Sequence, residues 1–175
     1  MITENKLLDT QVELFGVTLS NPIIPASGTF GFGYEFSEYY DINCLGSMSL
    51  KGTTREARYG NPLPRIAECP AGLINAIGLQ NPGVDKVISE EIPKLSKVYS
   101  KPVIANVGGH SFQEYIETVE KFNDVEKVFA VELNISCPNV KGGGMAFGTN
   151  PDIVESLVKE IKKVSTKPII VKLSP

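Results

Sequence analysis

Lys101-Pro102-Val103-Ile104 and Lys167-Pro168-Ile169-Ile170 are one strand opening written twice. In each copy the proline leads into an apolar, β-branched run, predicting strands over Pro102 to Val107 and Pro168 to Leu173. Phe129 to Ile135 is a similar run between them. Upstream, Ile23-Ile24-Pro25-Ala26-Ser27-Gly28 reads as a buried strand ending in a turn, and Cys44 to Leu50 as a second that delivers Lys51 at its end. Helical spacing fills the intervals. Val84, Val87, Ile88, Ile92, Leu95 and Val98 share a face that Pro93 should kink or restart. Ser111 with Glu114 is a capping-box signature ahead of Phe112, Tyr115, Ile116, Val119 and Phe122. Asn150 followed by Pro151 opens an amphipathic helix through Leu157, Ile161 and Val164. Near-continuous apolar strands alternating with such helices imply an α/β fold with a parallel, helix-covered sheet. A doubly wound open sheet and a (β/α)8 barrel both satisfy that pattern. Outside it, Val12 to Leu19 reads as an N-terminal β-hairpin, Tyr34 to Tyr40 as a short helix, and Gly52 to Pro82 as a long loop rich in Gly, Pro and Asn.

Composition narrows the function classes. With 42% hydrophobic and 21% charged residues, the chain can bury one core, and residues 1–175 are expected to form a single domain. No stretch approaches the roughly 20 continuous apolar residues that cross a bilayer, and Met1 to Gln11 is polar, so a soluble, intracellular protein without a membrane partner is expected. Three cysteines, Cys44, Cys69 and Cys137, at long spacings beside the single His110 suggest neither a disulfide framework nor a metal site. A net charge of -3 with scattered basic residues argues against nucleic acid. The local run Lys159, Lys162, Lys163 and Lys167 falls where a helix ends, and dipole complementarity explains it.

Polar residues gather at the carboxyl ends of the predicted strands: Ser27, Lys51, Asn106, Asn134 and Cys137, with Lys172 inside the fifth. Both candidate architectures place active sites there. A lone lysine ending an apolar strand is ordinarily a snorkelling edge residue. Two in equivalent positions favour an electron-rich ligand, because a buried ammonium needs an anion or several acceptors. No G-x-G-x-x-G follows a strand, and Gly142-Gly143-Gly144 lies in a loop after Cys137, so the dinucleotide fingerprint is not met. In Asn134-Ile135-Ser136-Cys137-Pro138-Asn139 the proline ends the strand and the asparagines offer paired donors and acceptors around the thiol. The ordinary state of a free cysteine is a small buried hydrophobe, and the residues alone leave both readings of Cys137 open. Cys44 and Cys69 are expected to pack.

Four motifs in order resemble the dihydroorotate dehydrogenase family: Pro25-Ala26-Ser27-Gly28, Gly60-Asn61-Pro62-Leu63-Pro64-Arg65, Asn75-Ala76-Ile77-Gly78-Leu79 with Asn81-Pro82-Gly83, and Asn134 through Val140. The resemblance spans essentially the whole chain and implies the (β/α)8 TIM-barrel type, of which about the first five strands are present. It implies FMN as cofactor and oxidation of dihydroorotate to orotate in pyrimidine biosynthesis, a base taking a proton from one ring carbon while hydride leaves its neighbour for the flavin. Cys137 matches the base, and a thiol there rather than a serine is similar to the soluble, cytoplasmic class. Orotate presents a carboxylate and alternating ring N–H and C=O groups. By resemblance Lys51, Asn75, Asn134 and Asn139 meet them, together with the backbone from Ala76 through Ile77 and Gly78 to Leu79. Ala26, Ser27, Lys51, Gly52, Asn106, Asn134 and Lys172 match flavin contacts. A cation at position 172 would stabilise negative charge on the reduced ring.

Phe30-Gly31-Phe32-Gly33, Gly78 to Gly83 and Asn139-Val140-Lys141-Gly142-Gly143 look most like the NAD-linked soluble enzymes. That class implies a homodimer joined to a second subunit carrying FAD and an iron–sulfur cluster. The fumarate-linked class is the near alternative. The related dihydropyrimidine-oxidising domain usually has histidine where this chain has Asn139. A complete family member continues through three more strands, whose loops commonly form the phosphate site. The chain alone is therefore expected to retain FMN weakly, to turn over negligibly and to expose unpaired strand edges. A second reading, from another class, is a non-catalytic half-barrel module assembling with another copy or chain.

Overall fold

The computed structural model describes residues 8–136 and 145–174. The predicted N-terminal hairpin is present as β1 (Val12–Leu14) and β2 (Val17–Leu19), paired antiparallel. Its two-residue connection, Phe15 and Gly16, has φ of 53° and 76°, the left-handed pair that a type I′ turn requires.

Five extended segments follow in the predicted order, but only three reach strand length. These are β5 (Val103–Val107), β6 (Val128–Asn134) and β7 (Ile169–Lys172), a parallel sheet in the order β5-β6-β7. The second predicted strand is corrected: Ile42–Cys44 is a 3-10 turn, and residues 48–53 touch β5 only through isolated parallel bridges at Ser49 and Thr53. Its amides still alternate with those of β5, Leu50 N–H reaching Ile104 O at 2.9 Å and Ile104 N–H reaching Met48 O at 2.9 Å. The first predicted strand forms no ladder either. Two of its carbonyls accept from this segment, Ile23 O from Gly46 N–H at 3.0 Å and Pro25 O from Ser49 N–H at 3.1 Å. Pro22 and Pro25 have no N–H to give, so a regular ladder cannot run through them.

The long loop expected between the second and third strands is corrected. The interval from Gly52 to Pro82 contains a second hairpin, β3 (Ile66–Cys69) with β4 (Gly72–Asn75). The restart expected at Pro93 is borne out: the helix at Val84 begins as α1 (Val84–Lys86), widens into a π turn over Val87–Glu91 and resumes as α2 (Ile92–Ser96). Pro93 accounts for that widening, since it cannot donate to residue 89 and its ring crowds that carbonyl. The short helix expected over Tyr34 to Tyr40 is present as a 3-10 helix, Tyr34–Glu38. Cys44 is exposed and Cys69 half-buried, so neither packs in the core as expected.

The remaining helices follow their sequence signals. In α3 (Phe112–Phe122), Ser111 Oγ accepts from Glu114 N–H at 3.3 Å, while the Glu114 carboxylate accepts from His110 N–H at 2.8 Å. Past the short α4 (Met145–Gly148), α5 (Pro151–Val164) is capped by Asn150 Oδ1, which accepts from Asp152 N–H at 3.0 Å and Ile153 N–H at 3.3 Å. Tyr115, Val119 and Phe122 of α3 and Leu157 and Ile161 of α5 are buried in one core with Val131 and Leu133 of β6. Each such fully buried side chain contributes about 1.5–3 kcal/mol, which is why these helices stay on the sheet. The basic run is a solvated face through α5, with Lys159 paired to Glu155 and Lys163 to Glu160, while Lys167 beyond the helix is half-buried and donates to Val125 O at 3.1 Å.

Candidate active site

Register decides which side chains meet. In the parallel ladder Asn106 is opposite Glu132, and Asn134 is opposite Lys172. Glu132 and Asn134 are two residues apart on β6, so all four side chains leave the same face of the sheet. The neighbouring segment adds Ser49 and Lys51 with the same two-residue spacing, Ser49 lying opposite Ile104. The face is not empty space alone: a cavity of about 340 Å³ opens above it.

That cavity brings together Ser27 from the first segment, Lys51 and Gly52 from the second, Asn134 at the end of β6 and Ser136 just past it, and Lys172 of β7. Asn75 at the end of β4 and the turn Ile77, Gly78 and Leu79 close it from the side. Gly28 and Thr29 complete the wall. Ala26 and Ala76 flank these residues without joining the wall; Ala26 O accepts from Thr29 Oγ1 at 2.7 Å, and Ala76 O from Asn61 Nδ2 at 2.8 Å. Cys137 and Asn139, the expected base and its neighbour, lie outside the described residues.

The closing turn is held by Asn81, which is buried. Its Nδ2 donates to Leu79 O at 2.9 Å and to Thr54 Oγ1 at 2.9 Å, and its Oδ1 accepts from Thr54 N–H at 3.1 Å and Gly83 N–H at 2.9 Å. Leu79 is thereby kept at φ 55°, a conformation that costs a leucine of order 1–3 kcal/mol and persists only where the surroundings impose it. At Gly78, φ 76°, a side chain would start 2.7 Å from Asn61, so the turn can lie against that loop only with glycine.

Electrostatically, the charged groups on the described wall are the ammoniums of Lys51 and Lys172. Lys172 Nζ donates to Ser27 Oγ at 2.7 Å and to Glu132 Oε1 at 3.1 Å. Glu132 was missed in the sequence reading. Its signal is there, the single acid in a run, Phe129 to Ile135, that is apolar apart from it and Asn134. Among the described residues, one polar atom at the floor lacks a protein partner: Asn106 Oδ1 is buried without a hydrogen bond. A side chain at Gly52 would begin 2.8 Å from that oxygen and 2.7 Å from Leu79 Cδ1. An orphaned acceptor beside a glycine, under two cations, fits a ligand that offers N–H donors and carries negative charge.

A larger cavity of about 510 Å³ lies between the Tyr34 turn and the Arg58 and Asn81 loops. Its buried acid is already spent, because Glu91 accepts from Tyr34 Oη at 2.7 Å and from Lys94 Nζ at 2.7 Å. The hydrogen bond to that carboxylate pushes the Tyr34 hydroxyl pKa well above its usual value. This arrangement braces the fold, which leaves the smaller cavity at the strand ends as the candidate site.

Sheet and cavity together define an α/β protein with a polar ligand site at the carboxyl ends of parallel strands. The chain belongs to the dihydroorotate dehydrogenase family, whose model matches residues 9–175. It is 56% identical over 165 residues to the catalytic subunit of dihydroorotate dehydrogenase B (NAD(+)) of Bacillus cytotoxicus, covering 94% of this chain and 53% of that protein. The subunit of the same name from Anoxybacillus flavithermus is 56% identical over 164 residues, covering 94% and 52%. The chain thus spans about half the length of the curated relatives it matches. Among solved structures, Eimeria tenella DHODH in complex with ferulenol superposes with a TM-score of 0.74 at 20% identity, over 99% of this chain and 54% of that one, a likeness of fold. The family expected from the four motifs is borne out, and these relatives are of the NAD-linked kind.

Proposed function

We propose that this chain is the catalytic part of an NAD-linked dihydroorotate dehydrogenase, oxidising dihydroorotate to orotate for pyrimidine synthesis. The observation that carries the reading is the convergence of Lys51, Asn75, Asn134 and Lys172 on one cavity above a buried Asn106 oxygen that has no partner among the described residues. In this reading Lys51 meets the substrate carboxylate, and Asn75 and Asn134, with the backbone from Ile77 to Leu79, read its ring amides. FMN supplies the two-electron acceptor when bound. Ser27, Gly52, Asn106 and Lys172 are the residues that hold it, and the N–H donor that Asn106 Oδ1 lacks is what such a ring provides. Cys137 is assigned as the base and Asn139 as its substrate-binding neighbour, on the strength of the motif. The five ordered segments correspond to the first strands of a (β/α)8 barrel. The reading carries a cytoplasmic homodimer, joined by an electron-transfer subunit with FAD and an iron–sulfur cluster.

The test is anaerobic addition of dihydroorotate to the purified chain with FMN, alone and together with the C-terminal half of a similar catalytic subunit, following the flavin's visible band. Bleaching that Cys137→Ala slows by about 10²-fold or more, the usual worth of a positioned base, is expected with the complementing half. Absence of bleaching in both forms would overturn the proposal.

A further inference from the structure

We infer that Glu132, on β6 beneath the cavity, is a positioning residue that decides which face of the Asn106 amide the ligand meets and where the Lys172 ammonium stands. This deepens the flavin reading above and rests on it for the identity of the ligand.

An asparagine amide has nearly the same shape either way round, and only its partners determine whether oxygen or nitrogen faces outward. Glu132 Oε1 lies 2.5 Å from Asn106 Nδ2. A carboxylate only accepts, so the amide nitrogen must turn toward it and the oxygen away. The oxygen is the atom found buried beside Gly52 and without a partner among the described residues. The same Glu132 oxygen accepts from Lys172 Nζ at 3.1 Å and from Ser49 Oγ at 3.1 Å. One carboxylate therefore ties three segments together, those containing Ser49, Asn106 and Lys172, and its side chain is only 13% exposed. In so sheltered a place its attraction for Lys172 is weakly screened. The outcome is a floor that presents one acceptor and one cation in set positions, pre-organised before any ligand arrives.

Swapping the two groups tests this. Glu132→Gln removes the obligate acceptor and should weaken FMN binding about tenfold, the worth of one hydrogen bond to a charged group. Asn106→Asp sets two acids against each other and should weaken it at least as much. The double variant Glu132→Gln with Asn106→Asp restores a donor facing a carboxylate and keeps the charge beside Lys172, so affinity should return to within about threefold of the parent. FMN affinity is read by flavin fluorescence quenching with the complementing half present, and the urea midpoint of the chain is read without flavin. In urea the two single variants should fall and the double variant recover. Losses that multiply in the double variant, or parent-like affinity in Glu132→Gln, would overturn the inference. A parent chain that binds no FMN would sink the flavin reading alone, while recovery in urea would still decide the role of Glu132.

Discussion

Replacing Asn81 by alanine should destabilise the protein strongly, although the residue lies outside the cavity. The side chain satisfies three main-chain groups, the N–H of Thr54, the N–H of Gly83 and the C=O of Leu79, and also meets Thr54 Oγ1. Asn81 is 5% exposed, so the three groups left behind are shielded from water. At about 1 kcal/mol each, the loss is roughly 3 kcal/mol, a large share of the 5–15 kcal/mol that holds a typical domain folded. With the usual 2–4 °C per kcal/mol for this size, Tm should fall by about 6–12 °C. Leu79 would also lose what holds it at positive φ, so the turn that closes the cavity should relax. Urea unfolding followed by circular dichroism measures the stability change, with an unchanged m-value showing that the denatured state is not the cause. A loss below about 1 kcal/mol would refute the view that Asn81 braces this turn.

Gly52→Ala should leave the fold intact yet weaken FMN binding by roughly 5- to 100-fold, because the new methyl meets Leu79 Cδ1 and Asn106 Oδ1; equal affinity by fluorescence quenching would count against the floor described here. Acid should unfold the protein partly through Asp85. Its hydrogen bond to Lys121, with Arg55 nearby, holds the carboxyl pKa below its usual 3.8, so the stabilisation is present above that value and is lost as pH falls through the depressed folded-state value. The urea midpoints of the parent and Lys121→Met should therefore differ at pH 6 and converge in acid, and a gap independent of pH would contradict the pairing. Asn150→Ala removes the two hydrogen bonds that cap α5 and should cost about 1 kcal/mol in urea, against no change if the helix end is held elsewhere.

Periodicity made β5, β6, β7, α3 and α5 legible from residue order, because each carries an uninterrupted apolar pattern with a cap or a proline at its boundary. It failed at the first two extended segments and at β3 and β4. In the former, prolines remove the donors a ladder needs, while the exposed Ile66, Leu73 and Ile74 of the hairpin give no one-sided pattern to read. Motifs carried the candidate site further than periodicity did. Ser27, Lys51, Asn134 and Lys172 are visible as polar residues in or at the ends of predicted strands, Asn75 only through its motif, and they converge in space.

By itself, then, the amino-acid order determined an α/β chain with a parallel sheet, its family and most residues of one polar cluster, since these follow from local pattern and motif. Tertiary structure alone decided that Glu132 belongs beneath that cluster and that Asn81 holds its wall. Both depend on strand register and on loops meeting across 26 and 27 residues of sequence, contacts that no local periodicity encodes.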